Sequence, residues 1–182
     1  MNEQTSKRDL TEQAMRRQWW PVARLDELTK PVAATLLGEK LVVYRTESGR
    51  IAVQSSRCPH RGGNLAIGKI HGESIACPYH GWEYSGETGH CTRVPSLADQ
   101  SKIPSQAAIK TYPAIARYGH VWTVLEESSL QMYDLPEWRD LDLDWLAVVP
   151  VDCEHGVAVA MENFRDVSHF PFVHVPSMGP SD

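Results

Sequence analysis

No stretch of this sequence is long and apolar enough to cross a bilayer. Its start, Met1–Thr11, is polar where a secretory leader would carry an apolar core. Both absences point to a cytoplasmic protein with no membrane part. There is no excess of basic residues either. With 18 Lys and Arg against 23 Asp and Glu the net charge is −5, which argues against nucleic acid or an anionic membrane surface as partner. Cysteine is scarce, four in 182 residues. There is no internal repeat beyond one pair of short loops, and no clear helix between residues 19 and 126. What is present is enough apolar material for a packed core, 42% of residues, and enough length for one domain and part of a second.

The paired loops are Cys58-Pro59-His60-Arg61-Gly62-Gly63 and Cys77-Pro78-Tyr79-His80-Gly81-Trp82. They read C-x-H, sixteen intervening residues, then C-x-x-H. Two Cys and two His suit either a tetrahedral zinc or a two-iron, two-sulfide cluster with both Cys on one iron and both His on the other. Zinc fingers usually pair Cys with Cys and His with His along the chain, whereas each loop here carries one of each. Pro59 and Pro78 stiffen the bend and remove an N–H donor. Gly62, Gly63 and Gly81 let the backbone come close enough for its N–H groups to address sulfides. The remaining thiols, Cys91 and Cys153, read as ordinary reduced cysteines. His71, His90, His120 and His155 read as surface or structural.

The C-P-H-R-G and C-P-Y-H-G-W segments resemble the cluster loops of Rieske non-haem iron oxygenases. Trp19-Trp20-Pro21-Val22 likewise resembles the W-x-P-V segment at the start of that family's Rieske domain, although surface aromatics capping a sheet would explain the two Trp equally well. The resemblance implies that Cys58, His60, Cys77 and His80 hold a [2Fe-2S] cluster. A cluster with neutral His ligands has a potential of about −150 to +300 mV, above that of an all-Cys cluster.

The strand pattern fits a mainly β protein. Segments 34–37, 40–46 and 50–54 are β-rich, with Glu47-Ser48-Gly49 as a hairpin turn. Segments 65–70 and 74–76 flank a turn at His71-Gly72, 82–84 and 90–93 flank the turn 85–89, and 109–112, 114–117 and 120–125 complete the set. The expectation is a small antiparallel β-barrel or sandwich of the Rieske type, followed by the start of an α+β catalytic domain. The expected divisions are a polar tail at 1–18, disordered or a short helix start over 1–12, the Rieske [2Fe-2S] domain at 19–126, an acidic connector at 127–144 and the catalytic domain from 145, opened by a strand at Trp145–Val151.

A second constellation lies in Glu162–His174, where Asp166, His169 and His174 form D-x-x-H-x-x-x-x-H. On a helix Asp166 and His169 share a face. His169 and His174 would point about 140° apart on an unbroken helix, and Pro171 is expected to break it so that both imidazoles converge. Two His and a carboxylate with open positions are the facial triad of non-haem Fe(II) oxygenases. The segment resembles the family's mononuclear-iron motif, which implies His169 and His174 as Fe(II) ligands. It implies Asp166 as the carboxylate bridging to a cluster histidine of a neighbouring subunit. The wording of the motif is most similar to the branch that monooxygenates or removes methyl groups oxidatively, such as methylxanthine N-demethylases and aryl O-demethylases. The resemblance further implies an NAD(P)H-dependent reductase or ferredoxin as electron donor, O2 and a small organic, aromatic substrate, and a homo-oligomer, a trimer. The family's third, acidic ligand lies far downstream of the second His. Asp182, eight residues past His174, is a poor substitute at a chain terminus, so the expectation is of an incomplete enzyme. A stand-alone Rieske ferredoxin would explain the cluster loops but not Asp166, His169 and His174. A respiratory Rieske subunit would need an extra Cys pair where Gly63 and Tyr79 stand, and a membrane anchor.

Overall fold

Leu41-Val42-Val43-Tyr44 decides the architecture of the first part of the chain. All four residues are fully buried. Successive side chains on a strand point to opposite faces, so a strand that is apolar on both faces needs a cover on each. A computed structural model describes residues 3–136 and 154–174, apart from the side chains of residues 3–9, 157 and 158. The chain divides into two compact units, 1–147 and 148–182.

In the first unit, β3 (Glu39–Arg45) sits inside a four-stranded antiparallel sheet with β2 (Val32–Leu36), β4 (Ile51–Ser55) and β9 (Thr111–Tyr112), in the order β2-β3-β4-β9. On one face Leu41 and Val43 pack with Val53, Tyr112, Ala23 and Val121. The last two come from a three-stranded sheet of β1 (Trp20–Arg24), β11 (His120–Thr123) and β10 (Ala114–Arg117), in the order β1-β11-β10. On the other face Val42 and Tyr44 pack with Ile75, Tyr84, Cys58, Leu65 and Cys77. Ile75 and Tyr84 belong to a second four-stranded sheet, β5 (Lys69–His71), β6 (Ser74–Ala76), β7 (Glu83–Ser85) and β8 (Cys91–Arg93). Every pairing is antiparallel. The expected mainly β, antiparallel architecture is therefore what forms, with β6 and β10 at their expected places and most of the other expected strands displaced by one or two residues.

Two expectations differ. Of the two alternatives for the polar start the helix is the one that forms, and it is longer than expected: the 14-residue α1 (Glu3–Arg16). It is rich in good helix formers, and its end is tied down. Arg16 donates to Glu39 and Glu126, at 2.7 and 2.8 Å, and Trp20 Nε1 donates to Met15 O at 2.8 Å. The expected strand at 65–70 begins as a 3-10 turn, Leu65–Ile67, because the Asn64 side chain accepts the Ala66 N–H and caps it. The expected strand at 145–151, the connector beyond residue 136, Cys153 and Asp182 lie outside the described residues.

The second unit contains α2 (Val157–Arg165) and the single-turn helix α3 (Phe170–Val173). Val159, Phe164 and Phe172 are exposed there. Among the described residues no helix is long and apolar enough to cross a membrane.

One buried polar contact ties the two four-stranded sheets together. Gln54 is fully buried on β4. Its Oε1 accepts from Tyr44 Oη at 2.7 Å, and its Nε2 donates to Ser85 O at 2.7 Å and Thr111 Oγ1 at 3.2 Å. Gln54→Leu strands the Tyr44 hydroxyl and the Ser85 carbonyl, and should cost about 2–4 kcal/mol in chemical denaturation. The double variant with Tyr44→Phe should cost clearly less than the sum of the two single changes, because the stranded donor is gone. Strict additivity would show that the contact contributes nothing.

Glu83 makes the first unit sensitive to acid. Burial alone would push its carboxyl up, but Arg93 and then His71 outweigh this and hold it below the usual range. Arg93 Nη1 lies at 2.8 Å and His71 Nδ1 at 3.1 Å. With the folded value the lower one, this cluster adds stability above the usual carboxylate range and loses it as the pH falls through the depressed value. Glu83→Gln should flatten the acid limb of stability against pH. An unchanged limb would assign the acid sensitivity to other groups.

Candidate metal centres

The two Cys/His loops are built to one plan. Loop one springs from a bridge between Arg57 and Asn64, loop two from the pairing of Ala76 with Glu83. In each, the Cys N–H donates to the carbonyl five residues on: Cys58 to Gly63 O at 2.9 Å, Cys77 to Trp82 O at 2.8 Å. In each, the Cys carbonyl accepts from the glycine four residues on, Gly62 at 2.8 Å and Gly81 at 2.9 Å. Those glycines take φ of +73° and +69°, a left-handed conformation that other residues rarely adopt. Because the plan is shared, a Cys starts both loops and points inward, 2% and 3% exposed. The His falls one position later in the second loop than in the first.

That offset makes the two imidazoles unequal. His80 is exposed and His60 half-buried. Their rings meet edge-on with centroids 4.7 Å apart. Tyr79 leans on His80 at 4.0 Å, and Trp82 lies on His60 at 4.4 Å. Burial, then the neighbouring His80 and Arg61, push His60 below the usual histidine range, which favours the neutral form that binds metal. Burial pushes the Cys77 thiol up, opposed by the backbone N–H groups of Tyr79 and His80. Tyr84 Oη lies 3.1 Å from Cys58 Sγ. Burial first, and then Cys58, hold its phenol well above the usual range, so it stays a hydroxyl able to donate to a thiolate. Sequence reasoning missed Tyr84. The alternation of β7, Tyr84 inward two residues after Trp82, is the only signal that could have found it.

In the second unit α2 ends where Asp166 takes an extended conformation, φ −81° and ψ 95°. Asp166 Oδ1 accepts from the Ser168 N–H at 2.9 Å and from the Ser168 hydroxyl. These bonds compete with the helix and stop it. Asp166 and His169 are thus brought together by a turn rather than by a shared helix face, with Oδ2 3.4 Å from His169 Nδ1. Pro171 does not break a helix here; it sits in the first turn of α3, where its missing N–H costs nothing. His169 and His174 cap the two ends of that turn, and their rings stand 5.3 Å apart with Phe170 edge-on to both. The Ser168 bonds, and more weakly His169, hold the Asp166 carboxyl below its usual range.

Among the described residues no three Cys, His, Asp or Glu side chains form a ready cage for one ion. The fit to a metal group rests on the donor types and on two atoms. His60 Nδ1 and His169 Nε2 are both buried without a hydrogen-bond partner. Buried polar nitrogens are rarely left so, and each is the atom through which its ring could bind a metal. Cys58, Cys77, His60 and His80 could hold a two-iron cluster, and His169 and His174 part of a mononuclear site.

Residues 18–113 match the family described as the Rieske [2Fe-2S] domain. The chain is 38% identical over 151 residues to the cholesterol 7-desaturase nvd of Xenopus laevis, covering 79% of this chain and 32% of that one. It is 36% identical over 174 residues to the methylxanthine N3-demethylase NdmB of Pseudomonas putida, covering 88% and 48%. The solved structure of NdmA of Pseudomonas putida with caffeine superposes with a TM-score of 0.77 at 31% identity, over 90% of this chain and 50% of that one. The chain thus spans a third to a half of the length of these relatives. With the matched domain covering more than half of its residues, the chain belongs to the family of the Rieske [2Fe-2S] domain.

Proposed function

We propose that this chain is part of the terminal oxygenase component of a Rieske non-haem iron oxygenase, one that hydroxylates or oxidatively demethylates a small organic, aromatic substrate. The observation that carries the reading is the presence of two donor sets in one chain. The loop pair alone would suit a stand-alone electron carrier, but the orphaned His169 Nε2 beside His174 has no place in one. Cys58, Cys77, His60 and His80 are the proposed ligands of the cluster. His169 and His174 are the proposed ligands of Fe(II), with a carboxylate from outside the described residues. When bound, the cluster supplies electrons one at a time and the Fe(II) supplies activation of O2.

The protein's own part is to hold and orient. Asp166 faces His169 Nδ1, which fixes the proton there, leaves Nε2 free and makes that nitrogen a better donor to metal. His80, the exposed member of its pair, is the imidazole that a neighbouring subunit's Asp166 could reach in a homo-oligomer, a trimer by resemblance. Tyr84 donates toward Cys58 and stabilises negative charge there. Electrons would come from an NAD(P)H-dependent reductase or a ferredoxin.

Two experiments test this reading. The dithionite-reduced whole oxygenase of which this chain is proposed to be part, mixed with O2 and methylxanthines or aryl methyl ethers, should release formaldehyde or hydroxylated product. Asp166→Asn should lower that yield about 10- to 100-fold while its cluster still reduces normally. Equal yield from the variant would remove Asp166 from the path, and reoxidation by O2 with no product from any substrate would favour the electron carrier. For the cluster side, Tyr84→Phe should lower the reduction potential by about 40 mV, the equivalent of about 1 kcal/mol for one electron. An unchanged potential would mean that the hydroxyl does not address the cluster sulfur.

A further inference from the structure

Gly63 and Trp82 end two otherwise matching loops, and only one of those positions carries a side chain. A Cβ on Gly63 would lie 2.8 Å from Cys77 Sγ, so nothing larger than glycine fits there. At the matching place in the second loop, the Trp82 indole lies flat on His60 of the first. The planes are 8° from parallel and the centroids 4.4 Å apart. Trp82 is itself well held. Its carbonyl accepts from the Cys77 N–H at 2.8 Å, its ring packs against the core that contains Cys58 and Cys77, and β7 follows directly. With Pro59, Pro104 and Ala107 it lines an open depression of about 320 Å³ beside His60.

A metal-binding imidazole is normally held in plane by a hydrogen bond at its other nitrogen, as Asp166 offers to His169. Among the described residues no protein group hydrogen-bonds His60. Something else must set that ring's plane, and the indole is the one flat surface against it. We propose that Trp82 is a positioning residue for His60, fixing the imidazole by stacking and favouring the oxidised cluster through its π face. The inference rests on the reading of His60 as a cluster ligand. An electron-rich face attracts positive charge. One-electron reduction removes positive charge from the His-bound iron, so the stack is stronger before reduction than after. Packing over His60 also keeps water from that edge, which opposes the added negative charge.

The test uses the full chain loaded with its cluster, reduced by one electron at an electrode. Trp82→Leu should raise the equilibrium constant for reduction about threefold, about 28 mV for one electron, and change the nitrogen hyperfine couplings of the reduced cluster. Trp82→Phe should recover most of both. Should Trp82→Leu fail to assemble, fluorinated tryptophan incorporated into the wild-type chain gives the same information, since it thins the π density without changing the shape. It should raise the potential in the wild type and not in the Trp82→Phe background. Unchanged potential and couplings in Trp82→Leu, or no fluorine effect, would overturn the proposal. A wild-type protein without a Rieske-type EPR signal at low average g would instead overturn the ligand reading beneath it.

Discussion

Two thiols have to lie inside the protein and two imidazoles at its rim, on loops of six residues that cannot hold themselves in place. Much of the first unit answers that constraint. Cys58 and Cys77 are members of the hydrophobic core rather than appendages to it, packed with Val42, Tyr44, Ile75 and Tyr84. The floor beneath them exists because β3 buries both of its faces. One face closes the fold against the three-stranded sheet, which frees the other for the loop-bearing sheet. Gln54 then locks the two four-stranded sheets at one buried point. A half-exposed β3 would leave the thiols in water, where no protein hydroxyl such as Tyr84 could outcompete solvent for their lone pairs.

The two loops share a hydrogen-bond plan yet present their histidines differently. Moving the His by one position turns one imidazole outward and leaves the other against an indole. The shared plan places both sulfurs at the same depth, and the offset differentiates the ring that meets solvent from the ring that is shielded. A pair of identical motifs would have given two equivalent imidazoles.

Much of this was legible in the residues. The loops announce themselves by composition, and the hairpins by apolar alternation broken at glycine. Asp166, His169 and His174 stand out by spacing, and the structure brings Asp166 to His169 and the ring of His169 near that of His174. What was not legible depended on contacts far along the chain. A short helix at the start was one of two readings, but its extension to Arg16 is tied to Glu39 and Glu126, which no local pattern reveals. Tyr84 meets Cys58 across 26 positions. The end of α2 was misplaced for a subtler reason. Pro171 is the obvious breaker, yet Ser168 bonding back to Asp166 stops the helix earlier, and a short polar side chain competing with the backbone is a weak signal in a list of residues.

The chain contains two ways of orienting an imidazole, and they differ in charge. A carboxylate at His169 adds a negative charge beside the ring, strengthens its basicity and suits the proposed role of that ring as ligand of a lone cation. An indole at His60 orients the ring without adding a formal charge. A two-iron cluster with two thiolates is already neutral when oxidised and becomes anionic on reduction. A carboxylate beside His60 would add like charge to that product and make the electron harder to accept. Stacking avoids most of that penalty, because a π face interacts with charge far more weakly than an ion does at the same distance. Placing the carboxylate on the proposed mononuclear motif and the aromatic ring on the proposed cluster loop is therefore the arrangement in which each imidazole is held and the proposed electron acceptor is not burdened with an extra buried anion.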